Sequence, residues 1–305
     1  MTGVKAAVAA RPTNEPGAPG GAREPEQAIH ASPLVTRELE GKVALLTGAG
    51  SYVGAAIAAK LVEAGARVVL GGRNEQNGAE AAAPLGDSGI FVRADVTDDD
   101  DLDDMVDAAL THFGGVDLVV TAAAVFDCGM LETTRENWRR SFDVNVIGNA
   151  MLIEKAIPHM RKRGGGSVVI VGSISGKHSQ PNRIVYPTTK AALLGLTRNM
   201  AQALAPENIR VNLITLGWTW SRNIERRRGT REAADAFAAE FQLMGRMVDP
   251  EEAGDAVVFL CSDRSSAMTG ADLAVDCGYD SVGPEAMGQA FDKHPYTKDS
   301  GQTTP

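Results

Sequence analysis

Tyr186-Pro187-Thr188-Thr189-Lys190 sets a phenol and an ammonium four residues apart, which on a helix places both on one face. Pro187 suits the first turn of that helix, where its missing N–H costs little. A phenol titrates near ~10 and is a poor base at neutral pH, but a neighbouring ammonium favours its ionised form. Thirteen residues before the tyrosine, Gly172-Ser173-Ile174-Ser175-Gly176 ends a β-branched apolar run. The Ser173 hydroxyl is therefore expected at the ligand-facing edge of a sheet, where it can hold a substrate oxygen. Together these groups suit proton transfer at a carbonyl or alcohol oxygen.

A second cluster suits a phosphate. Thr47-Gly48-Ala49-Gly50-Ser51-Tyr52-Val53-Gly54 follows one apolar run and opens another in which Val53, Ile57 and Leu61 recur at four-residue spacing. Strand, glycine-rich turn and amphipathic helix in that order form a setting for the pyrophosphate of a dinucleotide, held by backbone N–H groups at a helix start. A plain structural turn is the alternative reading. The next strand ends Leu70-Gly71-Gly72-Arg73-Asn74, with no acid to accept from a ribose 2′-OH. An arginine there can pair with a 2′-phosphate, which favours NADP(H), with NAD(H) left open. A solvated surface Arg73 is the competing reading. An oxidised nicotinamide would add to the stabilisation of a Tyr186 phenolate. Asp95, followed by Val96, falls after the third strand, within reach of an adenine amine.

These groups need elements to position them. Val43–Thr47, Arg67–Gly71, Ile90–Arg93, Leu118–Thr121, Val168–Val171, Arg210–Thr215 and Leu273–Val275 read as strands. Most are unbroken apolar runs, as in a parallel sheet covered on both faces. Helical stretches alternate with them, so the fold class is α/β, a doubly wound, Rossmann-like parallel sheet. One Rossmann-fold domain over 37–283 accounts for the pattern. It is preceded by a Pro/Gly-rich arm over 1–36, either flexible or packed on a neighbouring subunit, and followed by a polar tail over 284–305. The acidic run Asp98–Asp101, with Asp103 and Asp104, sits where a helix should begin, and helix-dipole complementarity explains it more simply than a cation site.

Charge and composition narrow the partners. Thirty Lys+Arg against 39 Asp+Glu leave a net charge of −9, a poor match for nucleic acid. No stretch approaches the ~18 apolar residues of a membrane span. Cys128, Cys261 and Cys277 are far apart and read as free thiols; without a signal peptide they point to the cytoplasm. His30, His112, His159 and His294 show no ligand spacing, so no catalytic metal is expected.

On the glycine-rich turn, the strand-ending Ser173 and the Tyr186/Lys190 pair, the chain resembles the short-chain dehydrogenase/reductase family from about Gly41 to Gly283. The resemblance implies an oxidoreductase that interconverts a ketone and a secondary alcohol. Tyr186 would be the acid/base, Lys190 would lower its pKa and hold the nicotinamide ribose, and Ser173 would orient the substrate oxygen. Asn145 would position a water for proton relay. Gly48, Ser51, Tyr52, Val53, Gly54 and Ala122 would line the cofactor turn. Leu216 to Ser221 would be the nicotinamide loop, with Gly217 among its cofactor-binding residues and Thr219 and Ser221 near the carboxamide. The pattern departs from the family in three places: Tyr52 replaces a glycine, Thr121-Ala122-Ala123-Ala124 replaces Asn-Asn-Ala-Gly, and Leu216 replaces a proline.

The segment from Trp218 to about Met247 would form a substrate lid. Trp218 and Trp220 either stack on a ring or sugar substrate or pack the lid against the core. Ser175, His178 and Gln180 border the pocket in this reading. Arg222, Arg226, Arg227, Arg228 and Arg231 form a cationic cluster, read as a solvated helix face pairing with Glu225 and Glu232, with an anionic substrate or the cofactor phosphates as the alternative use. Pairing of the helices after Trp138 and Tyr186 implies a homodimer or homotetramer. An NAD-dependent dehydrogenase of a sugar, polyol or cyclic alcohol is the nearest alternative, and a non-catalytic nucleotide sensor the more distant one.

Overall fold

Apolar runs on both faces become the strands of one sheet in a computed structural model that describes residues 37–126 and 130–281. The arm over 1–36, the tail over 284–305, Cys128, His30 and His294 lie outside the described residues. In chain order the elements are β1 (Val43–Thr47), α1 (Tyr52–Glu63), β2 (Arg67–Gly72), α2 (Glu75–Ala82), β3 (Gly89–Arg93), α3 (Asp99–Phe113), β4 (Leu118–Thr121) and α4 (Arg135–Phe142). They continue as α5 (Gly148–Lys162), β5 (Gly166–Val171), α6 (Val185–Leu204), β6 (Ile209–Leu216), α7 (Arg222–Arg228), α8 (Arg231–Ala238), α9 (Pro250–Cys261) and β7 (Asp272–Val275). All seven strands are parallel, in the order β3-β2-β1-β4-β5-β6-β7. This is the doubly wound, Rossmann-like sheet expected from the sequence, with several strands one or two residues longer than their apolar cores.

Alternation along each strand divides the core in two. Leu45, Val69, Val119, Val168 and Ile170 face α3, α5 and α6, through residues such as Leu102, Ile153 and Leu193. Leu46, Leu70, Val120, Val169 and Ile214 face α1 and α9, through Ile57, Leu61, Val257 and Leu260. Each such side chain contributes roughly 1.5–3 kcal/mol on burial. On the second face α1 and α9 approach closely: a Cβ at Gly254 would come within 2.6 Å of the Lys60 side chain and 3.1 Å of the Ala56 carbonyl oxygen.

Helix starts follow their caps. The acidic run opens α3, where Asp98 accepts from the Asp100 N–H and Asp99, Asp100 and Asp101 fill the first turn, each favourable at the positive end of the helix dipole. Between α4 and α5 the chain widens into a single π-helical turn, Asp143–Ile147. Among the described residues, no helix is long and apolar enough to cross a membrane.

The N-terminal edge of the sheet is held by Asp117, just before β4. Its buried carboxylate accepts from the Val43 N–H at 3.0 Å and from Arg163 Nε and Nη2 at 3.0 and 3.1 Å. Beside it the Ser167 hydroxyl donates to the Leu260 carbonyl at 2.8 Å, satisfying an acceptor near the end of α9.

Candidate active site

The opposite, C-terminal edge gathers the residues with chemistry. Ser173 follows β5 and caps a short 3-10 turn, its hydroxyl accepting from the Ser175 N–H at 3.2 Å. Gly176 closes that turn directly against α6. A Cβ there would lie 2.7 to 2.9 Å from backbone atoms of Lys190 and Ala191. A side chain at 176 would therefore push α6 outward, together with the Tyr186 and Lys190 that it carries.

Both are buried. Lys190 Nζ donates to the Val171 carbonyl at 2.7 Å, and burial without a counter-charge pulls its pKa down to about 8. Burial pushes the Tyr186 phenol up to about 12, against a hydrogen bond from Ser173 and the positive charge of Arg183. Phe126 covers the tyrosine ring, with centroids 5.0 Å apart. The sequence reading had the ammonium drawing the phenol toward ionisation. Here desolvation is the largest influence on the phenol, and Lys190 Nζ stands 5.8 Å from the centre of the Tyr186 ring. At neutral pH the arrangement presents a protonated phenol, able to donate a proton.

Asn145 sits in the π-helical turn. Its side-chain amide donates to the Val125 carbonyl and to Thr189 Oγ1, both at 3.0 Å, and its oxygen accepts from the Val125 N–H at 2.8 Å. The side chain thus braces the segment after β4 against α6, one residue from Lys190.

The glycine-rich turn crosses the ends of β1 and β4. Gly48 has φ +82°, and a Cβ there would meet the Ala122 carbonyl carbon at 2.7 Å; one on Gly54 would meet the Gly48 oxygen at 2.2 Å. Thr47 Oγ1 accepts from the Ala122 and Ala123 N–H groups at 3.1 and 3.2 Å. Ser51 caps α1, accepting from the Gly54 N–H at 2.9 Å. The first-turn N–H groups of Tyr52 and Val53 have no intrahelical acceptor and, among the described residues, no other one, and they lie at the positive end of α1. A cleft of about 110 Å³ opens here between Ser51, Tyr52, Asn77 and Arg222. The Tyr52 side chain turns to the lid: its hydroxyl donates to Glu225 Oε2 at 2.7 Å, and Arg222 lies 5.0 Å above its ring.

Arg73, just past β2, is 56% exposed and its guanidinium is 3.7 Å from Asp95. Asp95 accepts from the Thr97 N–H and hydroxyl at 3.1 and 2.8 Å. Against partial burial, those two bonds and the charges of Arg73 and Arg93 hold its carboxyl below the usual range. Val96 is buried where α5 begins, its carbonyl oxygen 2.4 Å from where a Gly148 Cβ would stand.

These residues fit a nicotinamide dinucleotide. The fit rests on the free first-turn N–H groups, the cleft beside them, and a buried ammonium with one hydrogen bond for its three donors. Thr121 Oγ1, buried at the end of β4, has no hydrogen-bond partner among the described residues.

On the substrate side, Gly217 follows β6, and a Cβ there would be 2.6 Å from the Asp276 Cα. Thr219 donates to the Gly217 carbonyl at 3.1 Å, and Ser221 caps α7. Trp218 packs against Phe237 and Phe241 at 5.2 and 5.6 Å. With Trp220 it adjoins a small lid core of Ile224, Ala234, Ala238 and Met247, and both indoles stay partly exposed. Ser175 donates to Gln180 Oε1 at 2.8 Å. His178 is engaged elsewhere, 2.7 Å from Asp280 and edge-on to Tyr279. Lys177 beside it spans Asp272 and Asp280 at 2.7 and 2.6 Å.

The arginine cluster also differs from its sequence reading. Glu225 is taken by Tyr52, while Arg222 pairs with Glu80 and Arg231 with Asp235 and Asp249. Thr47, Arg183 and Asp280 carry no assigned role in the sequence, and Glu225 is read there only as a partner of the arginine cluster. Thr47 opens the turn motif and was visible; the other three act through partners that no local pattern reveals.

A family model described as Enoyl-(Acyl carrier protein) reductase matches residues 48–280. Dehydrogenase/reductase SDR family member 4 of Mus musculus is 38% identical over 255 residues, covering 81% of this chain and 91% of that protein. Cis-4-hydroxycyclohexanecarboxylate dehydrogenase of Sinomonas cyclohexanicum is 37% identical over 245 residues, covering 79% and 97%. The crystal structure of L-sorbose reductase from Gluconobacter frateurii, complexed with NADPH and L-sorbose, superposes with a TM-score of 0.76 at 29% identity, covering 80% of this chain and 98% of that one.

Proposed function

This chain belongs to the short-chain dehydrogenase/reductase family and is an NAD(P)-dependent oxidoreductase of secondary alcohols and ketones, and we propose that it uses NADP(H) on a cyclic or sugar-like substrate with Tyr186 as its acid/base. The observation that carries the catalytic assignment is the buried, protonated Tyr186 phenol hydrogen-bonded with Ser173 at the sheet edge, with Lys190 one helical turn away. When bound, the nicotinamide supplies the hydride in reduction and takes it in oxidation. Ser173 and Tyr186 hold the substrate oxygen between them; Tyr186 gives it a proton as the ketone is reduced and recovers one as the alcohol is oxidised. Lys190, with one of its three donors used by Val171, would hold the cofactor's nicotinamide ribose with the others. Asn145 keeps α6 in register with the segment after β4.

The relatives' sugar and cyclohexane substrates support the substrate class. Arg73, exposed at the end of β2 with Gly72 before it, supports NADP(H). Its ion pair with Asp95 competes for the same guanidinium and keeps NAD(H) as the second reading. The domain is proposed to run over 37–283, with the lid over 218–247. A homodimer or homotetramer through α4, α5 and α6 is supported by Ile147, a large exposed apolar residue, and by the open space beside Gly195 on α6. The free thiols Cys261 and Cys277 suit a reducing cytoplasm.

Steady-state kinetics on a panel of cyclic ketones, followed by the absorbance of the reduced nicotinamide, test the cofactor assignment. The expected result is a kcat/KM at least about tenfold higher with NADPH than with NADH, equivalent to one charge-assisted contact. A tenfold preference for NADH overturns it.

A further inference from the structure

We infer that Arg183 is a substrate-specificity residue, and that the alcohol or ketone this enzyme takes carries a carboxylate. The inference rests on the oxidoreductase reading above. Arg183 lies three residues before Tyr186 and is half-buried. Its Nη1 donates to Gln180 Oε1 at 3.3 Å, and Gln180 is in turn held by the Ser175 hydroxyl at 2.8 Å. Its guanidinium carbon stands 5.7 Å over the Trp218 ring. The charge is thus fixed between the turn that carries Ser173 and the first residues of the lid.

What it lacks is an anion. The chain has 39 acidic residues against 30 basic ones, and Arg163, Arg231 and Arg246 all reach carboxylates. Among the described residues Arg183 reaches none, and one bond to Gln180 uses a fraction of its five donors. A planar guanidinium held by a neutral amide and an indole face is pre-organised to receive a carboxylate through two parallel hydrogen bonds. Trp218, backed by Phe237 and Phe241, adds an apolar wall for the ring or chain that bears the group. Its charge also acts on the Tyr186 phenol, so a carboxylate bound there sits near the reacting oxygen. The anion could also belong to the cofactor, but the groups that fit cofactor phosphates lie on the turn over 47–54, and Arg183 touches none of them.

The test compares 4-oxocyclohexanecarboxylate with its neutral carboxamide, in wild type, Arg183→Gln and Arg183→Lys, alongside NADPH affinity. Binding of cyclohexanecarboxylate to the NADPH complex, followed by tryptophan fluorescence, provides a readout independent of turnover. Wild type is expected to favour the carboxylate at least about tenfold in kcat/KM, mainly through KM. Arg183→Gln should erase that preference and the fluorescence response, lowering carboxamide turnover far less than carboxylate turnover and leaving NADPH affinity unchanged, and Arg183→Lys should restore part of it. Equal use of the two ketones by wild type overturns the inference, as does equal loss on both in Arg183→Gln, and the oxidoreductase reading survives either result. A fall in NADPH affinity alone assigns Arg183 to the cofactor and overturns it as well. If no ketone is reduced with either cofactor, the oxidoreductase reading fails, and Arg183-dependent binding of cyclohexanecarboxylate still supports the anion site.

Discussion

The two edges of the same sheet treat their polar groups in opposite ways. At the N-terminal edge Asp117 takes three hydrogen bonds, from Val43 and Arg163, and Ser167 satisfies a carbonyl of α9. At the C-terminal edge, among the described residues, Lys190 has one hydrogen bond and no counter-ion, and Thr121 Oγ1 has no partner. A buried polar group left short of partners costs free energy. The N-terminal edge therefore stabilises the fold, while the C-terminal edge carries polar groups that the fold itself leaves short of partners.

The largest effect that would sharpen this contrast is on rate. Tyr186→Phe should lower kcat by roughly 10²–10⁴-fold, with the melting temperature and NADPH affinity little changed, because only the proton donor is removed. Substantial residual turnover would break the assignment.

Next comes Lys190. Its folded pKa of about 8 lies below the 10.5 of the free side chain, so the unfolded chain binds the proton more tightly between those values. The penalty on the native state is complete below pH 8 and is released as pH rises toward 10.5. In the cofactor-free protein, Lys190→Met should therefore gain on wild type at pH 7 relative to pH 10, by about 3 kcal/mol in urea unfolding. A difference that does not vary with pH would show that the ammonium is not strained.

Asp117→Ala should give the smallest of the three effects and the opposite signature. It strands the Val43 N–H and the Arg163 guanidinium, but Arg163 is 40% exposed and can turn to water. A loss of about 2 kcal/mol in urea unfolding is expected, with kcat at 25 °C unchanged. A large fall in kcat would erase the division of labour between the edges.

Most of the architecture was legible because a sheet covered on both faces leaves an unmistakable apolar run. Val43–Thr47 and Leu118–Thr121 are identical in sequence reading and structure. The start of β5 was missed because Gly166 and Ser167 look like turn residues, and Ser167 earns its buried place through a bond to Leu260 across the fold. Ser173, Tyr186 and Lys190 could be recognised as a group because helical spacing and a strand end constrain them locally. The lid could not be read in the same way. Tyr52 and Glu225 are 173 residues apart, and the pull of Asp280 on His178 is equally non-local. Burial, too, reversed the expected direction for the Tyr186 phenol, since desolvation depends on neighbours that spacing does not specify.

The close seat of Gly254 against Ala56 and Lys60 has a consequence in time. The apolar face of α1 is complete only when α9 arrives, about 200 residues further along the chain. During synthesis the cofactor turn and its helix must therefore wait, with Ile57 and Leu61 uncovered, until nearly the whole sheet has been made. Contacts of such long sequence separation are slow to form, because the loop must close before they give any return. Folding of this enzyme should thus be limited by its last helix docking on its first, and the growing chain is most exposed to aggregation and to chaperones just before that step.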